Sequence, residues 1–180
     1  HKLAKTINSY SATELCLYFI KDVDILNADN LTAAFIASAS GNEETLRALL
    51  DAGAKLTFRT PLPTLLATID DAALIIKTRT FWGYGLLDIA AQHGHIDTTL
   101  LLLSRNRSMA NISNEMSIKP HHLACEFGHI KVLDIFLELS PNFADQRCLY
   151  KAASNRHTEI IQKLLNLGVR DMCLQCNGSF

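Results

Sequence analysis

Two stretches of this chain align with one another without a gap: LLDIAAQHGHIDTTLLLL from Leu86 and PHHLACEFGHIKVLDIFL from Pro120. Each reads as a short helix, a Gly-His turn and a second apolar helix, and the turn glycines, Gly94 and Gly128, stand 34 residues apart. Self-similarity at a period of roughly 20–50 residues marks an architecture built from one supersecondary unit used many times, so it outranks any element-by-element reading. Two more copies follow from the template. TAAFIASASGNEETLRALLDAGA begins at Thr32 with its turn at Gly41, and CLYKAASNRHTEIIQKLLNLGV begins at Cys148 with Arg156-His157 in place of Gly-His.

The unit has a simple physical logic. Its first helix carries a pair of small residues (Ala37-Ser38, Ala90-Ala91, Ala124-Cys125, Ala152-Ala153), which lets a neighbouring helix approach closely. Its second helix carries larger residues at helical spacing: Leu46, Leu49, Leu50; Leu101, Leu102, Leu103; Val132, Leu133, Ile135, Phe136; Ile160, Ile161, Leu164, Leu165. One hairpin cannot bury such a stripe, but hairpins stacked side by side can, which gives a solenoid held by nearest-neighbour contacts. The 48% hydrophobic content is therefore expected as a series of thin Leu and Ala layers rather than one round core. The longest purely apolar runs, such as residues 100–103 and 72–76, fall far short of the roughly 18 residues that span a bilayer, so no membrane insertion is expected. Seventeen Lys and Arg against 18 Asp and Glu leave a net charge of −1, without the basic excess that phosphate contacts demand, so no nucleic-acid partner is expected either.

The repeats resemble ankyrin repeats, whose pattern runs Thr-Pro-Leu-His, an Ala pair, Gly-His, then a Leu-rich helix ending in Gly-Ala. Lys119-Pro120-His121-His122 matches the opening except at Lys119 and His121; Gly94-His95 and Gly128-His129 match the turn; Gly53-Ala54 matches the ending and Gly168-Val169 does so in part. The resemblance implies an all-α ankyrin-repeat solenoid of helix-turn-helix hairpins, with four clear repeats over 30–57, 80–112, 113–142 and 143–172. A fifth, degenerate unit over 58–79 opens with Thr60-Pro61-Leu62-Pro63 but lacks the Gly-His turn, and the next unit starts only 25 residues on, at Gly85. Residues 1–29 read as an N-terminal helical cap and 173–180 as a C-terminal tail; His1 in place of Met suggests a segment of a longer protein.

Seven histidines and five cysteines raise the question of chemistry. His121, His122, Cys125 and His129 have metal-ligand residue types at helix-like spacing. The repeat register answers most of it: His95, His129 and His157 share one place in the turn, and His122 fills the slot where the family uses the ring to brace adjacent loops. Cys125 beside His122 is the sharpest idea for a nucleophile, but it stands in the small-residue pair between helices, where a buried thiol is inert. No nucleophile elbow, phosphate loop or metalloprotease helix is present. Cys173 and Cys176 form half of a zinc site with no second pair nearby. The expectation is accordingly no catalytic residue, no metal and no cofactor. Five scattered cysteines, an odd number, argue against a disulfide framework and for a reducing, intracellular and cytoplasmic setting.

What the resemblance implies is a protein-interaction module that binds a protein partner through loop tips and the exposed side of the first helices. Phe81, Trp82 and Tyr84 lie on such a tip, three of 13 aromatics within four residues. Gln92 and His93 take the exposed slots of the following helix, Glu126 and Phe127 the same slots one repeat later, with Glu115 and Met116 at the next tip. Low charge favours an aromatic-anchored contact, since rigid aromatics are frequent interface anchors. A monomeric chain is expected. The alternative is the recruiting part of a larger enzyme or of a secreted bacterial effector, which would then work in the host cytosol.

Overall fold

The computed structural model describes residues 22–27, 31–56, 83–114 and 116–170. Among these residues eight α-helices form four hairpins: α1 Ala33–Ser40 with α2 Glu43–Asp51, α3 Leu86–His93 with α4 Ile96–Arg105, α5 Pro120–Phe127 with α6 Ile130–Leu139, and α7 Gln146–Ser154 with α8 Thr158–Asn166. Two 3-10 turns, Arg107–Asn111 and Pro141–Phe143, join the later hairpins. No strand occurs among the described residues.

Local chemistry starts and stops each helix. Helix N-termini leave amides without partners, and side chains take them up. The Thr32 hydroxyl accepts from the Phe35 amide at 3.2 Å, Asn42 Oδ1 from Thr45 at 3.0 Å, and Asp145 Oδ1 from Cys148 at 2.8 Å. In α3 and α5 the help comes from inside the first turn: the Gly85 N–H donates to Asp88 Oδ2 at 2.8 Å, and the Lys119 N–H to His122 Nδ1 at 3.0 Å. Asp88 and His122 occupy the same register position, so two unlike residues perform one task. The first helices stop at Gly41, Gly94 and Gly128, with φ of 68°, 74° and 82°, in the left-handed region that glycine enters without a Cβ penalty. The fourth ends at Ser154 with Asn155 as its cap, and Arg156, at the position equivalent to the glycines, holds φ 62° with a side chain.

Hairpins stack in chain order, α1 on α3, α3 on α5 and α5 on α7, with α2 on α4 and α4 on α6 behind them. The small pairs lie in the seams: Ala90, Ala91, Ala124 and Cys125 are fully buried. Leu46, Leu102, Leu133, Phe136, Ile160 and Leu164 form the layer between first and second helices. The expected thin-layer core is the observed one.

Each seam repeats one contact. His95 Nε2 is bonded to the carbonyl of Ala39 at 2.9 Å, His129 Nε2 to Gln92 at 2.8 Å, and His157 Nε2 to Glu126 at 2.9 Å. The same rings cover the preceding turn glycine so closely that a Cβ on Gly41, Gly94 or Gly128 would lie 2.6, 2.5 or 2.6 Å from ring atoms. Glycine is thus required twice, for its backbone angle and for the space it leaves.

This contact also fixes which repeats are neighbours. The His95 bond to Ala39 joins repeats whose turn glycines are 53 residues apart in sequence, and α1 packs directly on α3. The degenerate unit expected over 58–79, like the cap expected over most of 1–29 and the tail over 173–180, falls outside the described residues.

Candidate partner-binding surface

Two residues precede each turn, and their exposures differ systematically. The first of the two, Ala39, Gln92 and Glu126, gives its carbonyl to the next repeat's histidine and lies on the side of the helix that the next repeat covers. Gln92 is only 6% exposed, so its expected place on the open face is corrected to a buried one. Ala39 and Glu126 are half-buried, and Glu126 carries an ion pair to Lys151 Nζ at 2.8 Å across the last seam. The second of the two, Ser40, His93, Phe127 and Asn155, is exposed in every repeat. His93 bonds back to the Ile89 carbonyl at 3.0 Å, and Phe127 shows 42% of its surface to solvent.

Tyr84 does not project from a tip. It is 5% exposed, and burial, followed by the nearby carboxylates of Glu126 and Asp88, pushes its phenol up to about 12. Gly83 before it holds φ 65°, in keeping with its turn position. Phe81, Trp82 and Glu115 fall outside the described residues.

Met116 does sit on a tip, 40% exposed. Asn114 builds that tip, its Oδ1 accepting from the amides of Met116 at 3.0 Å and Ile118 at 2.9 Å, while Ser117 takes φ 57°. Arg147 of the next repeat then clamps it, donating to the carbonyls of Ser117 at 2.7 Å and Met116 at 3.1 Å. Asn114 and Arg147 escaped the sequence reading. An Asn placed two and four residues before amides it can accept from was the available signal for the first; the second needs the stack.

The histidine-cysteine group resolves into structural parts. His129 faces the earlier seam through Gln92. His121 and His122 face the later one, their Nε2 atoms 3.3 and 2.8 Å from the same oxygen of Asp145. Burial lowers the His121 imidazole below its ordinary value, with the Asp145 bond opposing. Its ring packs on Phe143 at 4.7 Å between centroids. Burial would raise the Asp145 carboxyl, but hydrogen bonds from His121, His122 and the Cys148 amide outweigh it and hold the group well below the usual carboxylate range.

The donor atoms of His121, His122 and Asp145 lie within 4.8 Å of one another, close enough to consider a cation. The His122 tautomer speaks against it. Because Nδ1 accepts from the Lys119 amide, Nε2 carries the ring proton and donates to Asp145, so that nitrogen has no lone pair for a metal.

Cys125 is not a free thiol. Its sulfur is bonded to that of Cys148, with Cα atoms 5.4 Å apart, so a covalent link joins α5 to α7. Sequence counting argued against a disulfide framework; stacking nevertheless brings this one pair together across a seam.

A family model described as ankyrin repeats (3 copies) matches residues 87–175. A search of curated proteins found no match. No described helix is long and apolar enough to cross a membrane. With hairpins, left-handed turn glycines and turn histidines recurring in one phase, the chain is an ankyrin-repeat protein.

Proposed function

We propose that this chain is a non-catalytic module that binds a protein partner along the row His93, Phe127 and the Met116 tip. Ankyrin repeats are generally protein–protein interaction modules. The supporting observation is the alternation ahead of each turn: one residue is spent on the seam while the next, Ser40, His93, Phe127 or Asn155, is left outward at equivalent positions of successive repeats. Arg147 adds a tip held still before any partner arrives, which lowers the ordering cost of binding. The absence of catalysis belongs to the same reading. It is supported by the complete burial of Cys125 in an apolar seam, where a thiol is inert.

Affinity capture from lysate with the wild-type chain, compared with a His93→Ala/Met116→Ala/Phe127→Ala variant checked for unchanged helicity, tests the surface. A partner retained by the first and lost by the second is expected; equal capture moves the site elsewhere. An intracellular setting is part of the proposal and rests on the scattered cysteines. A reducing compartment would keep Cys125 and Cys148 as thiols, so thiol trapping in the expressing cell checks it.

A further inference from the structure

We infer that Arg156 closes the C-terminal face of the stack to any further Gly-His repeat in register. Three seams set the pattern. In each, the turn glycine forms a socket that the next repeat's histidine ring fills, with ring atoms 2.5–2.6 Å from where a Cβ would stand. Real Cβ atoms do not approach that closely, so a side chain and a docked ring exclude one another. The fourth repeat has the same left-handed turn, φ 62°, but builds it with Arg156, whose Cβ occupies the socket.

No described repeat covers this face. Positions that the next repeat covers at the inner seams are open here. Ser38, Ala91 and Cys125 are fully buried, whereas Ala153 is exposed; Phe35, Asp88 and His122 are buried, whereas Tyr150 at the equivalent place is 71% exposed. The carbonyls of Ala39, Gln92 and Glu126 each hold a histidine; Ser154 is their equivalent. An arginine in the left-handed region carries a backbone cost that glycine would not. The cost is tolerated because no ring fills this socket. A Gly-His repeat laid on this face could not dock by the contact used before.

Moving the plug inward tests this. In Gly128→Arg, under reducing conditions so that Cys125–Cys148 does not tether the repeat, amides of α7 and α8 are expected to lose hydrogen-exchange protection by at least roughly tenfold, while α3 and α4 keep theirs. Gly53→Arg controls for backbone cost alone, since Gly53 has φ 97° and nothing within 4 Å of a Cβ; it should leave α7 and α8 protected. The converse test appends a second copy of residues 143–170 after Arg170. With Arg156→Gly the copy is expected to melt together with the stack at a raised midpoint, and with Arg156 to melt apart. Retained protection of α7 and α8 in Gly128→Arg, or equal coupling of the copy in both backgrounds, would overturn the inference.

Discussion

The His129 imidazole lies flat against the turn of Gly94, with Nδ1 2.5 Å from the point a Cβ would occupy and Nε2 bonded 2.8 Å away to the Gln92 carbonyl. One ring therefore reads both the shape and the hydrogen-bonding of the repeat before it. Gly94→Ala should cost about 2–4 kcal/mol, combining left-handed strain with overpacking. Gly53→Ala, at φ 97° with open space around it, should cost only about 1 kcal/mol. Urea midpoints of the two variants separate the contributions, and equal losses would show that the ring contact adds nothing.

Acid should loosen the seam between the third and fourth repeats. Burial lowers His121 below 6.5 in the folded chain, and likewise His129 at the seam before it, so below about pH 6.5 the unfolded state binds more protons than the folded one. Stability is then complete above that pH and falls as pH drops toward the folded values. Asp145, held low, adds a second loss as pH falls below 3.8. Urea midpoints should decline between about pH 7 and about pH 5, and His121→Leu should flatten the decline. A flat wild-type profile in that window would contradict this.

Reduction should weaken the same seam by another route. Opening Cys125–Cys148, with 23 residues of sequence separation, releases loop constraint worth about 3 kcal/mol in the chain-entropy description. The thermal midpoint should drop with dithiothreitol in the wild-type chain and become indifferent to it in Cys148→Ala.

Arg147→Ala should leave global stability within about 1 kcal/mol, because the side chain is largely solvated. Amides of Met116 and Ile118 should nevertheless exchange faster, since the carbonyls of the tip lose their clamp. If the tip contributes to partner binding, the dissociation rate should rise in the same variant by surface plasmon resonance once a partner is identified.

The sequence was most legible where one residue type has one job. Gly94-His95 and Gly128-His129, the small pairs and the Leu stripes set the hairpins in the right phase because each position meets the same neighbour in every repeat. The outward row was half legible. His93, Met116 and Phe127 lie on the surface as expected, but Gln92 is buried on the side of its helix that the next repeat covers. Tyr84 turned inward as well, toward Asp88 and Glu126. The adjacency of α1 and α3 was hidden by linear distance, since 53 residues separate their turn glycines. Asp145 was hidden for a related reason: it is an ordinary helix cap until the stack brings two histidines to its far oxygen.

The seam contact also has a direction. Every ring points to the preceding repeat and every glycine opens to the following one, so the two ends of such a stack are unlike. A unit with a free ring at one end and a free socket at the other would complement its own copies head to tail, and a contact of that kind grows into fibres unless rotation closes it. Neither half is offered by the described repeats. The first carries Asn42 where the others carry histidine, its side chain already committed to Thr45, and the last carries Arg156 where the others carry glycine. Asn42 and Arg156, at the outer faces of the described repeats, thus remove both halves of a polymerising joint there while leaving the three joints between them intact.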